Sequence, residues 1–180
     1  MRNFKDFINY LFTLFFFSLS LCAQDENIAS IEIINQSNNS INFPKIIAVS
    51  KTHPMSSILP LINNGHIDYG ENKVQEAIDK WTNIKSDFNH LNLHMIGKLQ
   101  SNKVKQAIQL FDYIHSLDNL KLAEKISNEQ VKQNKKIKLF IQINIGNEDQ
   151  KSGIKIEDLP DFYQNCKNNN SQTPVVNITI

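Results

Sequence analysis

A lysine follows directly on an apolar run in "KIIAVSKTHP", residues 45 to 54. Ile46 to Val49 have the composition of a short buried strand, and Pro54 closes the stretch. An ammonium group there is costly to bury unless it is paired or loses its proton. At the rim of a partly dry pocket a lysine loses its proton more easily. The neutral amine then attacks carbonyl carbon and can form a Schiff base. The plainer alternative is that Lys51 snorkels, with its stem on the core and its head in water. On spacing alone that alternative is the simpler one.

Lys51 can act only if the chain holds it beside other polar groups. Five apolar runs read as strands: Ile46–Ser50, His66–Tyr69, Leu93–Ile96, Tyr113–Ser116 and Leu139–Ile145. Helix patterns lie between and after them over Ser56–Asn63, Asn72–Lys80, Ser101–Leu110, Leu120–Asn134 and Lys155–Lys167. Ser101 and Asp118 are good N-cap types. Glu157 and Asp158 suit the first turns of the last helix. Strands alternating with helices predict parallel βα units and an α/β fold. Both an open doubly wound sheet and an incomplete (β/α)8 barrel fit, because a full barrel takes ~200 to 250 residues. "PVVNITI" near the end is a candidate sixth strand, and an earlier helix is expected within residues 24 to 44.

In parallel α/β folds ligands sit beyond the C-terminal strand ends. Those positions hold Ser50, Lys51, Thr52 and His53, then Glu71, Asn72 and Gln75, then Gly97, Gln100, Ser101, Asn102 and Lys103. The fourth strand leads to His115, Ser116 and Asp118, and the fifth to Asn144, Lys151 and Ser152. His53 reads as a loop residue, and His94 and His115 read as packed core histidines. "NKVK" at 102–105 reads as a solvated helix face, although the helix start at Ser101 is also able to bind an anion. "KQNKK" at 132–136 reads as a charged loop.

Composition excludes several classes. The 180 residues carry 19 basic and 18 acidic side chains, so bulk electrostatic binding of nucleic acid is not expected. Two cysteines, Cys22 and Cys166, with no CxxC, give neither a disulfide framework nor a zinc site. Residues 1–24 form an apolar leader: Arg2 and Lys5 precede a run from Tyr10 to Leu21, in the layout of a signal peptide or of a misassigned start.

The motifs "IIAVSKTHP", "DYGENKVQEAIDKW", "LHMIGKLQSNKVK", "YIHSLDNLKLAEKI" and "LFIQINIGNEDQKSGI" occur in this order. Together they resemble the pyridoxal-phosphate homeostasis proteins, which are similar to the barrel domain of bacterial alanine racemase. The resemblance runs from about Asn27 to about Asn169. It implies an incomplete barrel of the alanine racemase N-terminal kind, of five to six βα units, within residues 25–180. It implies that Lys51 holds pyridoxal 5′-phosphate as a Schiff base. It also implies that Asn72, His94, Ser101, Asn102 (with Lys103 beside them), Asn144 and Lys151 line the cofactor site. The implied role is control of the intracellular cofactor pool without amino-acid turnover. Apo forms of cofactor-dependent enzymes are the implied partners, and the protein is expected to be monomeric and cytoplasmic, with the leader a misassigned start rather than an export signal.

Two departures qualify that expectation. The family's second lysine, two positions after the first, is His53 here. The family grips the cofactor phosphate with later strands, which include a serine motif and a glycine-arginine motif, and its pattern fades here from about Ser171. Weak cofactor retention and an exposed strand edge are therefore expected. Two other readings stay open: an amino-acid racemase, which needs a second acid/base usually supplied by another domain, and an inactive truncated relic.

Overall fold

The computed structural model describes residues 45–146, 148, 150–168 and 178–179. The leader and the helix expected within 24–44 lie outside these residues. The strands are β1 (Ala48–Val49), β2 (Asp68–Glu71), β3 (Asn92–Met95), β4 (Tyr113–Leu117), β5 (Lys138–Ile141) and β6 (Ile178–Thr179). Between and after them come α1 (Met55–Asn63), α2 (Val74–Asp87), α3 (Val104–Leu110), α4 (Leu120–Lys132) and α5 (Leu159–Asn168). Single 3-10 turns, Ser101–Lys103 and Ile156–Asp158, lead into α3 and α5.

All six strands are parallel and pair in chain order, β1-β2-β3-β4-β5-β6. A doubly wound sheet reverses its order part-way, because its helices cover both faces. Sequential order with right-handed crossovers keeps every helix on one face, as a βα barrel requires. The barrel alternative is therefore the one the chain adopts, and "PVVNITI" does supply a strand, with Ile178 beside Leu139.

The two faces of the sheet separate by alternation. Tyr69, Leu93, Met95, Ile114 and Leu139 point to the helices and are buried. They meet Ala77 and Trp81 of α2, Ala107 and Ile108 of α3, and Leu122 and Ile126 of α4 in one core. In α2 the buried positions Val74, Ala77 and Trp81 stand three and four apart, so one stripe faces the sheet. The opposite face forms the barrel interior. Ile47 and Ile96 flank Gly70 there, each 3.1 Å from where a Cβ on Gly70 would lie.

Helix ends differ from expectation in two places. Asn119, not Asp118, caps α4: its side chain accepts the Leu122 N–H at 2.8 Å. Ser101 lies inside its 3-10 turn, and Gln100 holds the cap position without a side-chain bond. The fifth strand ends at Ile141 rather than Ile145. Ile143 instead makes an isolated parallel bridge with Ile154, where the chain folds back on itself.

Candidate functional site

Lys51 stands just past β1. Ser50 is still in the ladder, its N–H donating to the Gly70 carbonyl at 2.9 Å. Its hydroxyl points toward the helices and donates to Glu71 Oε1 at 2.8 Å. The pleat therefore gives Lys51 the opposite, interior face, in line with Ile47 and Val49. Lys51 is exposed, so the partly dry surrounding expected for it is not built by the described residues. Its amine has no hydrogen bond or ion pair among them. Thr52 follows with φ 64°, a left-handed conformation that is rare for a β-branched residue.

A charged network lies beneath this turn. Glu71 is fully buried, and its Oε1 accepts from Ser50 Oγ, from Lys80 Nζ at 2.9 Å and from Trp81 Nε1 at 2.9 Å. Lys80 Nζ also donates to the Ser50 carbonyl at 2.7 Å and to Glu76 Oε1 at 3.2 Å. Glu76 accepts the Thr52 N–H at 2.6 Å, and that bond leads the causes that hold its carboxyl below the usual range. A buried ion pair of this kind offsets its desolvation only when the remaining polar atoms find partners. Glu71 Oε2 has none among the described residues.

The ends of β2 and β3 touch. A Cβ on Gly97 would lie 2.3 Å from the Asn72 carbonyl oxygen, so only glycine lets the two strand ends approach this closely. Asn72 is half-buried, and its Oδ1 is a buried acceptor without a donor among the described residues. Ser101 and Asn102 are exposed in the turn after β3, and Lys103 is half-buried. His53 is exposed, as read.

After β5 the chain makes a tight loop. Asn144 Nδ2 donates to the Glu148 carbonyl at 2.9 Å, and Lys151 pairs with the Glu148 carboxylate at 2.6 Å. Gly153, at φ 119°, lets this loop return, because a Cβ there would lie 2.8 Å from the Asn144 nitrogen. Asn144 and Lys151 thus share one loop. Parallel strands place that loop at the same end of the sheet as Lys51, Asn72, Ser101 and Asn102.

His94 lies within β3, not at its end. Its Nε2–H donates to Asp68 Oδ1 at 3.0 Å, and its Nδ1 accepts from His115 Nε2 at 2.9 Å. A carboxylate only accepts, which sets these tautomers. Tyr113 stacks on His94 with centroids 4.1 Å apart, and Phe140 stacks on His115 at 4.4 Å. Burial pushes both histidines down, His115 to about 4. Lys138 Nζ donates to the Tyr113 hydroxyl at 2.9 Å, at the side of this interior row.

Sequence reasoning missed Lys80, Glu76 and Asp68. Lys80 and Glu76 stand nine and five positions after Glu71, and Glu76 and Lys80 share an i,i+4 spacing, which was the available signal. Asp68 meets His94 only through the β2–β3 pairing, in which Asp68 sits opposite Asn92. "KQNKK" is less bland than a charged loop. Lys135 Nζ donates to the Gln109 and Phe111 carbonyls, closing the C-terminus of α3.

Residues 26–179 match the family described as alanine racemase, N-terminal domain. The chain belongs to that family. Among its relatives, the pyridoxal phosphate homeostasis protein of Haemophilus influenzae is 36% identical over 133 residues, 74% of this chain and 56% of that protein. The Escherichia coli K12 protein of the same name is 38% identical over 118 residues, 65% of this chain and 50% of the other. The chain thus spans about half of these curated relatives. The structure of PipY from Synechococcus elongatus with PLP bound is 33% identical, with a TM-score of 0.62 over 76% of this chain and 64% of PipY. Alanine racemase from Clostridium difficile, at 14% identity and a TM-score of 0.55, shares the fold. Among the described residues no helix is long and apolar enough to cross a membrane.

Proposed function

We propose that this chain binds pyridoxal 5′-phosphate through Lys51 and serves in control of the cofactor pool, without turning over amino acids. The observation that carries this reading is Lys51 itself. Its amine is unpaired among the described residues, at the C-terminal end of β1, on the face turned away from the helices. The cofactor brings an aldehyde, which condenses with a primary amine. Most lysines buried in networks here, such as Lys80 and Lys85, are occupied by carboxylates. Lys51 is available.

The polar groups at the same end of the sheet suit such a ligand. Asn72 offers a buried oxygen that lacks a donor among the described residues, suited to a ligand hydroxyl or protonated nitrogen. Ser101 and Asn102 expose hydroxyl and amide groups in the turn after β3. Asn144 and Lys151 lie on the loop after β5 at the same end of the sheet. Lys151 adds a positive charge for an anionic substituent, although Glu148 competes for it. His94 fits a supporting place better than a contact, because both its ring nitrogens are taken by protein groups. The homeostasis name of the bacterial relatives and the PLP held by PipY support the reading. Cofactor-dependent apoenzymes as recipients, a monomeric state and a cytoplasmic location complete it.

The test is a visible absorption spectrum after incubation with pyridoxal 5′-phosphate and desalting, beside Lys51→Ala. A new band in the parent and none in the variant is expected. A band of equal strength in Lys51→Ala would overturn the assignment of Lys51. A parent that takes up no cofactor would overturn the function.

A further inference from the structure

We propose that Glu76 is a positioning residue for Lys51, acting through the Thr52 backbone. This rests on Lys51 being the group that takes the aldehyde.

Lys51 is held on both flanks. On one side, the Ser50 carbonyl accepts from Lys80 and the Ser50 hydroxyl donates to Glu71. On the other side, the Thr52 N–H donates to Glu76 at 2.6 Å. All three partners belong to β2 or α2, so these side chains tie the turn that carries Lys51 to its neighbours, beside the backbone bond from Ser50 N–H to the Gly70 carbonyl. Thr52 is where the tie matters most. A β-branched residue in the left-handed region persists only where its surroundings hold it. Among the described residues the Thr52 hydroxyl reaches only its neighbour's carbonyl, Lys51 O at 2.6 Å, and adds no anchor to another element. The Glu76 bond is the long-range anchor of the Thr52 N–H, joining residues 24 apart in the chain. Without it, Thr52 keeps only the bond that closes the turn itself, His53 N–H to the Ser50 carbonyl at 3.2 Å, so the turn loosens and Lys51 moves off the axis of its strand. A misplacement of about 1 Å costs up to about a hundredfold in reactions that depend on orientation.

A competing explanation is that Glu76 merely sits in the first turn of α2, where an acidic residue favours the helix dipole. The two differ in what glutamine does. Glu76→Gln removes the charge but keeps an oxygen able to accept the Thr52 N–H. Glu76→Ala removes both.

Two readouts on the full chain decide. The first is hydrogen exchange of the Thr52 amide by NMR, which needs no cofactor. The second is the rate at which Lys51 is modified by pyridoxal 5′-phosphate with borohydride trapping, read by peptide mass spectrometry. Circular dichroism confirms that each variant is folded. Glu76→Ala is expected to speed Thr52 exchange and slow Lys51 modification by about tenfold each, with Glu76→Gln close to the parent in both. Thr52 exchange unchanged in Glu76→Ala would overturn the clamp whatever the cofactor does. So would Glu76→Gln behaving as Glu76→Ala, which is the helix-dipole outcome. Faster exchange with unchanged Lys51 modification would overturn the positioning role and leave a purely structural bond. A parent unmodified at Lys51 would overturn the cofactor reading and this role with it, while the exchange data would still report the turn.

Discussion

His94 and His115 share one hydrogen bond across β3 and β4, Nδ1 to Nε2 at 2.9 Å, and Asp68 fixes the far side of His94. The pair works only while it carries few protons, because a second proton would set two N–H donors face to face. Desolvation is the first cause of the depression in both rings. For His94 it outweighs Asp68 and Asp112, which act upward, and Lys45 adds to the depression. For His115 the neighbouring His94 adds to it. His66 is lowered too, again by burial, against the raising effect of Asp68.

Stability should therefore fall in acid. A histidine whose folded pKa lies below its unfolded value binds more protons when unfolded. Its contribution is complete above the ordinary value of 6.5 and is lost as pH falls from there toward about 4, the His115 value. Between those limits urea unfolding should show a loss on the order of 2 kcal/mol beyond that of the surface carboxylates. His115→Phe should flatten that limb of the curve. An equal slope in the variant would mean that the interior pair is not the cause.

Glu71→Ala should destabilise the chain by about 3 to 5 kcal/mol, because it leaves the largely buried Lys80 ammonium without its main partner and opens space beside Trp81. Glu71→Gln should cost less, since an oxygen remains for Ser50 and Trp81. Urea midpoints at neutral pH measure both. A loss under about 1 kcal/mol for the alanine variant would show that water or Glu76 satisfies Lys80 equally well.

Much of this architecture is legible in the sequence, and the failures are local. The apolar runs locate β1 through β5 to within a few residues, because strands buried on both faces read as continuous runs. The reading of α2 stops at Lys80, while the helix continues to Asp87. Its last turns are mostly polar, and only Trp81 and the half-buried Ile84 continue the core-facing stripe there. Lys51 is legible because an amine after a strand is anomalous on its own. Lys80 and Asp68 are not, and Glu71 is legible only as a polar strand end, because their meaning lies in pairs made across strands and between strand and helix. No spacing shows that Glu71 points to the helices while Asp68 points to the interior.

Lys51→Ala should leave the fold untouched. Lys51 is exposed and its amine holds no partner among the described residues, so the change should alter stability by less than about 0.5 kcal/mol. Its loss of cofactor uptake would then be chemical rather than structural. Lys151→Ala breaks only an exposed pair with Glu148, on side chains 63% and 44% exposed, and should be equally silent in stability. If Lys151 contacts the anionic part of the cofactor, that variant should keep the absorption band but need several-fold more cofactor to reach it. Equal titration curves for parent and Lys151→Ala would remove Lys151 from the site.

Gly97→Ala tests whether the β2 and β3 ends must lie this close. The added methyl would meet the Asn72 oxygen at 2.3 Å, its Cα at 2.8 Å and its carbonyl carbon at 2.9 Å. All three are backbone atoms, so no rotamer change relieves the contact. One strand end must move. Overpacking of this kind costs about 1 to 3 kcal/mol. The displaced segment carries Asn72, so cofactor uptake should weaken along with stability. Asn72→Ala separates the two effects, since it removes the orphaned buried oxygen without touching the backbone. It should weaken uptake with little loss of stability. If Gly97→Ala lowers the unfolding midpoint while uptake by both variants equals that of the parent, Asn72 takes no part in binding.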